Sequence, residues 1–169
     1  FKREFGFTVV AGGIHAILLP QEALAQPVVD FICVGEGENA LPQLLDALEA
    51  GASPQGVAGI WGKWDGQEFH NPPAPLSDLA TLPPPDLGLH DPIHFFRPFD
   101  GRRYKMLNYE LSRGCPFNCT YCVNGVLKAK YRGLGPYHRV KPLERGLAEL
   151  RQLVDRHGFE FIRFWDEDF

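Results

Sequence analysis

"SRGCPFNCTYC", residues 112–122, places three of the chain's four cysteines within eight residues, spaced C-x₃-C-x₂-C. The stretch before it, "RRYKMLNYELSRGC" (102–115), reads as a strand from about Tyr104 to Leu111 that runs straight into the cysteine loop. After it, "KPLERGLAELRQLVDRHG" (141–158) has Pro142 in its first turn and Gly158 at its stop. Leu143, Leu147, Leu150 and Val154 recur on one face, which predicts a helix. "FEFIRF" (159–164) is the next strand. Strand, loop, helix and strand make one β-loop-α-β unit, expected to be a right-handed crossover.

Three thiols on one short loop suit few kinds of chemistry. A structural zinc site normally closes four ligands, so a fourth would have to come from Cys33, His138 or elsewhere. A redox pair formed by Cys119 and Cys122 leaves Cys115 without a purpose. Iron–sulfur clusters take cysteine thiolates, and a four-iron cubane usually takes four. Three ligands would leave one iron open to a substrate, as catalytic zinc keeps one position open. Gly114 and Pro116 suit the tight turn into such a loop.

The upstream part is a different unit. Residues 1–100 carry 4 basic against 13 acidic side chains, and residues 101–169 carry 13 against 8, so the halves differ in sign at −9 and +5. The basic residues are interleaved with acids, which points to a solvated face with some anion contacts rather than to a nucleic-acid partner. "FTVVAGG" (7–13) is a short buried strand ending in a glycine pair, and "PQEALAQP" (20–27) is a helical turn or two. "VVDFICVGEGE" (28–38) is a second apolar strand ending at Gly35. "NALPQLLDALEAG" (39–51) is an amphipathic helix with Asn39 as N-cap, Leu41, Leu44, Leu45 and Leu48 on one face, and Gly51 as its stop. Continuous apolar strands alternating with helices argue for parallel α/β packing. "GIWGKWDGQEFH" (59–70) reads as a hairpin about Asp65-Gly66. Residues 71–100, opening "NPPAPLSDLATLPPPD", are a proline-rich connector. The glycine pair Gly12-Gly13, and Gly35, Glu36 and Gly37, lie where a ligand can approach backbone closely, although glycines at strand ends also serve ordinary turns.

With Tyr121 just before its last cysteine, the loop resembles that of the radical S-adenosylmethionine superfamily. The resemblance implies a (β/α) barrel with its site at the C-terminal strand ends. It implies that Cys115, Cys119 and Cys122 ligate a 4Fe–4S cluster, that S-adenosylmethionine chelates the open iron, and that one electron cleaves it to a 5′-deoxyadenosyl radical. Tyr121 would lie against the adenine. "WDEDF" (165–169) would bring Asp166 or Glu167 near the amino end of S-adenosylmethionine, against the plainer reading of a solvated acidic loop.

The order of GG-x-H, V-G-E-G-E, a D-G hairpin, "LPPPD" and then the cysteine loop is similar to that of the cobalamin-binding radical S-adenosylmethionine enzymes. The likeness covers nearly the whole chain. It implies an α/β chain in three parts. Residues 1–70 are the C-terminal part of a Rossmann-like cobalamin-binding sheet, 71–100 a connector, and 101–169 the first β-α-β of the barrel. By the same implication Gly12, Gly13, Gly35, Glu36 and Gly37 border the cobalamin. The D-x-H-x-x-G segment of some cobalamin proteins does not occur in this sequence, and His15 lacks that context. Methylation of an unreactive centre is the expected reaction. Cyclisation or rearrangement, and a non-catalytic zinc-stabilised module, are the alternatives. A small-molecule or peptide substrate and a flavodoxin or ferredoxin as electron donor are the expected partners. Cysteine usage fits a reducing, cytoplasmic setting, and no apolar run reaches the roughly 20 residues of a membrane span. Cys33, inside an apolar strand, reads as a buried small hydrophobe. A chain from Phe1 to Phe169 reads as a fragment of a longer polypeptide.

Overall fold

In the computed structural model, which describes residues 2–168, the apolar runs before the two glycine loops become neighbouring strands. After a short helix α1 (Lys2–Phe5), β1 (Val10–Ala11) pairs in parallel with β2 (Phe31–Cys33), Val10 opposite Phe31 and Ala11 opposite Ile32. The hairpin β3 (Ile60–Trp64) and β4 (Gln67–His70) extends this sheet antiparallel, in the order β1-β2-β3-β4. Its turn residues Asp65 and Gly66 both have positive φ, 48° and 76°, as an Asp-Gly hairpin requires. The parallel expectation therefore holds for one strand pair, and the sheet as a whole is mixed.

Successive residues of β2 face opposite sides of the sheet. Ile32 packs with Ala16, Ala23 and Leu24 of α2 (Ile14–Leu18) and α3 (Pro20–Ala25). Phe31 and Cys33 pack on the other side with Ala40 and Leu44 of α4 (Gly37–Glu49) and with Ile60 and Phe69. Gly62 lets this happen, because a Cβ there would run into the Phe31 ring and crowd that of Phe69. Helix α4 starts two residues before Asn39, with Glu36 as its N-cap residue. Leu44 is buried, but Leu41 and Leu45 are exposed, so the covered stripe is narrower than the leucine pattern suggests.

The chain divides into two compact units. The first runs up to Ser77 and includes Ala129–Gly135. The second comprises Asp78–Lys128 and the chain from Pro136 onward. In the second, the segment read as a connector contributes 3₁₀ turns at Leu87–Leu89 and Pro92–Phe95 and a strand, β5 (Phe96–Phe99). β5 pairs antiparallel with β6 (Arg102–Tyr109), and β6 pairs in parallel with β9 (Phe161–Phe164), Tyr109 opposite Phe164. Between them lie a two-residue strand β7 (Ser112–Arg113), helix α5 (Asn124–Lys130), β8 (Arg139–Val140) and helix α6 (Leu143–His157). Gly158 closes α6 in the left-handed conformation, φ 65°.

The core of this unit joins Leu107 and Tyr109 of β6 to Leu150 and Leu153 of α6 and to Phe159. The buried face of α6 is Gly146, Glu149, Leu150 and Leu153, whereas Leu143 and Leu147 are exposed, which corrects the stripe read from the sequence. Two contacts turn the helix this way. Gly146 has no Cβ to collide with the Leu111 side chain. Glu149 is buried because Lys141 reaches it at 2.8 Å.

Candidate functional site

The cysteine loop is held at both ends and along its length. At its start, β7 pairs with β8, Arg113 opposite Arg139, and Arg113 Nε bonds Glu110 at 2.9 Å. Gly114 follows with φ 76°, and a Cβ there would collide with the carbonyl oxygen of Tyr137. At its end, the Cys122 N–H donates to Cys119 O at 3.1 Å, and α5 begins two residues later. Lys128 of α5 reaches back and donates to the carbonyls of Pro116 (2.9 Å) and Phe117. Nothing in the cysteine spacing predicts this clamp, which joins residues 12 and 11 apart in sequence.

All three loop cysteines are free thiols; Cys119 is exposed and the other two are half-buried. Asn124, itself buried, donates from Nδ2 to Cys122 Sγ at 3.5 Å while its Oδ1 accepts from the Tyr137 hydroxyl. An N–H donor aimed at a sulfur stabilises negative charge there, one of the means by which proteins tune a bound cluster. Among the described residues no three His, Cys, Asp or Glu side chains are gathered closely enough to hold a metal ion. The loop thus offers three thiol ligands in sequence rather than a closed coordination sphere. As a donor set, three unpaired thiols on one braced loop fit a cluster with three protein ligands.

Gly114→Ala should cost the second unit about 2 kcal/mol, a left-handed penalty of about 1 kcal/mol plus a backbone clash. The expected outcome is a melting midpoint lower by about 5 °C in a thermal unfolding experiment.

The other residues singled out for this unit are placed differently from one another. Tyr121 is 91% exposed, so its ring is available to a flat ligand. Asp166 is half-buried and turned toward the start of the cysteine loop, whereas Glu167 and Asp168 are exposed. His138 is partly buried just before β8.

In the first unit, the parallel pairing of β1 and β2 brings Gly12-Gly13 and Gly35-Glu36-Gly37 to the same end of the sheet. Ligands of open α/β sheets bind there. Gly13 and Gly35 have positive φ, 81° and 152°, and a Cβ at Gly13, Gly35 or Gly37 would meet no neighbour, so the backbone is open. Glu36 bends away to accept the Ser77 N–H at 2.7 Å. His15 lies in the five-residue α2. Cys33 is buried, as expected of a small hydrophobe. Its thiol donates weakly toward Gly35 O (3.8 Å) and Glu36 O (3.7 Å), and burial, with some help from the Glu38 charge, pushes its pKa up. Beside Val34 and Ile17 lies a cavity of about 190 Å³, walled also by Trp61 and Tyr131.

No protein-family model matches the chain. An uncharacterized methyltransferase of Pyrococcus horikoshii is 34% identical over 164 residues, covering 95% of this chain and 33% of that protein. The anaerobic magnesium-protoporphyrin IX monomethyl ester cyclase of Cereibacter sphaeroides is 30% identical over 164 residues, covering 94% of this chain and 25% of the cyclase. Among solved structures, the radical S-adenosylmethionine methyltransferase TsrM of Kitasatospora setae, with cobalamin and a [4Fe-4S] cluster bound, superposes with a TM-score of 0.61. The identity is 20%, over 95% of this chain and 31% of TsrM. The chain is similar in sequence to these methyltransferases and cyclases, and in fold to the radical S-adenosylmethionine methyltransferase TsrM. It spans about a third or less of the length of these relatives. The mixed α/β architecture is that of this group. Among the described residues no helix is long and apolar enough to cross a membrane.

Proposed function

We propose that the protein is a radical S-adenosylmethionine enzyme with a cobalamin-binding first unit, methylating an unreactive centre of a small molecule or peptide. The observation that carries this reading is the braced loop with three free thiols, Cys115, Cys119 and Cys122, set beyond a strand that has a parallel neighbour. Names of relatives add support: methyltransferases and radical enzymes recur among them. When bound, the cluster would supply the electron that cleaves S-adenosylmethionine, and cobalamin would supply a methyl carrier.

The chain's own residues would do the following. The three thiolates hold the cluster and leave one iron for the amino and carboxylate groups of S-adenosylmethionine. The exposed ring of Tyr121 stacks on the adenine. Glu167, exposed beyond β9, faces the ammonium. Lys128 braces the loop through the Pro116 and Phe117 carbonyls, and Asn124 donates to the Cys122 sulfur. Gly12, Gly13, Gly35, Glu36 and Gly37 let the cobalamin approach backbone closely at the end of the sheet. A flavodoxin or ferredoxin in a reducing cytoplasm would deliver the electron.

The test is anaerobic purification of the full-length protein. Near-equal iron and acid-labile sulfide are expected, with corrin absorbance. The paramagnetic signal of the reduced cluster should shift on adding S-adenosylmethionine, and 5′-deoxyadenosine should be released. Zinc without labile sulfide would overturn the reading in favour of a structural metal module. Cyclisation is the second reading, favoured by the 30% identity to a cyclase. A full-length protein that releases 5′-deoxyadenosine but transfers no methyl group would select it.

A further inference from the structure

Both oxygens of Asp166 are turned onto the start of the cysteine loop. Oδ1 accepts from the Ser112 N–H at 2.5 Å, from the Ser112 hydroxyl at 2.6 Å and from the Leu111 N–H at 3.1 Å. Oδ2 shares the Leu111 N–H at 3.2 Å. An ionised carboxylate has about four acceptor sites, so these four contacts use most of its capacity.

Their position follows from the sheet. β6 and β9 are parallel neighbours in register to Tyr109 and Phe164, and the Trp165 N–H adds one more rung to Tyr109 O at 2.9 Å. Past that rung the ladder stops, and among the described residues the Leu111 and Ser112 N–H groups have no strand partner on this side. The next residue of the β9 exit, Asp166, supplies acceptors for both. On its opposite side, Leu111 O accepts the Lys141 N–H at 2.7 Å, and Ser112 pairs with Val140. Ser112 is 5% exposed, so an N–H and hydroxyl stripped of this carboxylate would stay out of water. Leaving buried donors unmet is costlier than the bond itself is worth, and bonds to a carboxylate are the stronger kind. Three residues past Ser112 comes Cys115.

We propose that Asp166 is a positioning residue: it pins residues 111 and 112 and so fixes where Cys115 meets the cluster, leaving the ammonium of S-adenosylmethionine to another acid. This rests on the reading of Cys115, Cys119 and Cys122 as cluster ligands. Loss of an outer-shell partner costs metal sites roughly 10-fold to 100-fold in affinity, and the same order is expected here.

The experiment uses the full-length protein, reconstituted without oxygen. Asp166→Ala, Asp166→Asn, Glu167→Gln and Leu153→Ala are compared by iron and sulfide per chain, by the paramagnetic spectrum of the reduced cluster, and by amide exchange at residues 111 and 112 without cluster. Asp166→Ala is expected to lose its cluster roughly 10-fold faster to a chelator, with a broadened spectrum and faster exchange at Leu111 and Ser112. Asp166→Asn, which keeps one acceptor oxygen, should recover part of the retention. Glu167→Gln should keep both cluster and exchange pattern. Leu153→Ala removes packing from the core between β6 and α6 rather than a hydrogen bond to the loop, and should lower the melting midpoint while leaving the spectrum unchanged. An Asp166→Ala protein with wild-type retention and spectrum overturns the positioning role, as does a Leu153→Ala protein that loses its cluster equally fast. A wild-type protein that takes up no iron and sulfide overturns instead the reading on which the role rests.

Discussion

Cys119→Ala, and equally Cys115→Ala or Cys122→Ala, is expected to strip the full-length protein of its iron and labile sulfide, while Cys33→Ala keeps both at the wild-type level. The four cysteines differ in setting rather than in chemistry. Three lie on one loop, free and at least partly open to solvent. The fourth is 7% exposed inside β2, with its pKa raised by burial. Among the described residues no group of three or more His, Cys, Asp or Glu side chains is gathered to hold a metal, so the lost thiolate has no ready-made substitute set. Loss should therefore be nearly complete rather than partial. Cys33→Ala removes one sulfur from a packed cluster that includes Phe31, Ala40 and Leu44. It should cost roughly 1 kcal/mol of stability in urea unfolding and nothing in metal content. Iron retained after Cys119→Ala but lost after Cys33→Ala would reverse the assignment.

The cysteine spacing was legible because metal ligation writes itself into short intervals. So was the Asp65-Gly66 hairpin, whose turn demands two positive φ values that these residues tolerate best. The same signal stood unread at Asp100-Gly101, where φ is 45° and 71° and the chain reverses from β5 into β6. Pro98 hid that strand. Because β5, among the described residues, is paired on one side alone, by β6, a missing N–H is tolerated there. The buried face of α6 was misread for a different reason. Leucine spacing pointed to Leu143 and Leu147, but the helix turns its small and charged residues inward, Gly146 under Leu111 and Glu149 onto Lys141. Neither partner sits at a helical interval, so no periodicity could have shown it. The Asp166 contacts join residues 54 and 55 apart in sequence, and they exist because two parallel strands end together.

Lys141→Met should be the most destabilising single change in the second unit. The Lys141 ammonium meets Glu149 Oε2 at 2.8 Å with the two side chains 11% and 4% exposed. The same ammonium donates to the Tyr109 hydroxyl at 3.2 Å and sits 4.9 Å from the centre of its ring. Burial, and then the charge of Glu149, push the Tyr109 phenol well above its ordinary pKa, so this pocket already disfavours a second negative charge. Among the described residues Glu149 Oε1 has no hydrogen-bond partner, so Lys141, together with the Tyr109 hydroxyl, carries the compensation for the carboxylate. Removing one member of a buried pair strands the other, at about 3–5 kcal/mol. Replacing both with apolar residues of similar volume is often neutral, so Lys141→Met with Glu149→Leu should regain most of that loss. Urea unfolding should show the midpoint falling in the single variant and returning in the double, with little change in slope. If the double variant is as unstable as the single, the stranded charge is not the cause, and the Lys141 side chain acts through its packing on Tyr109.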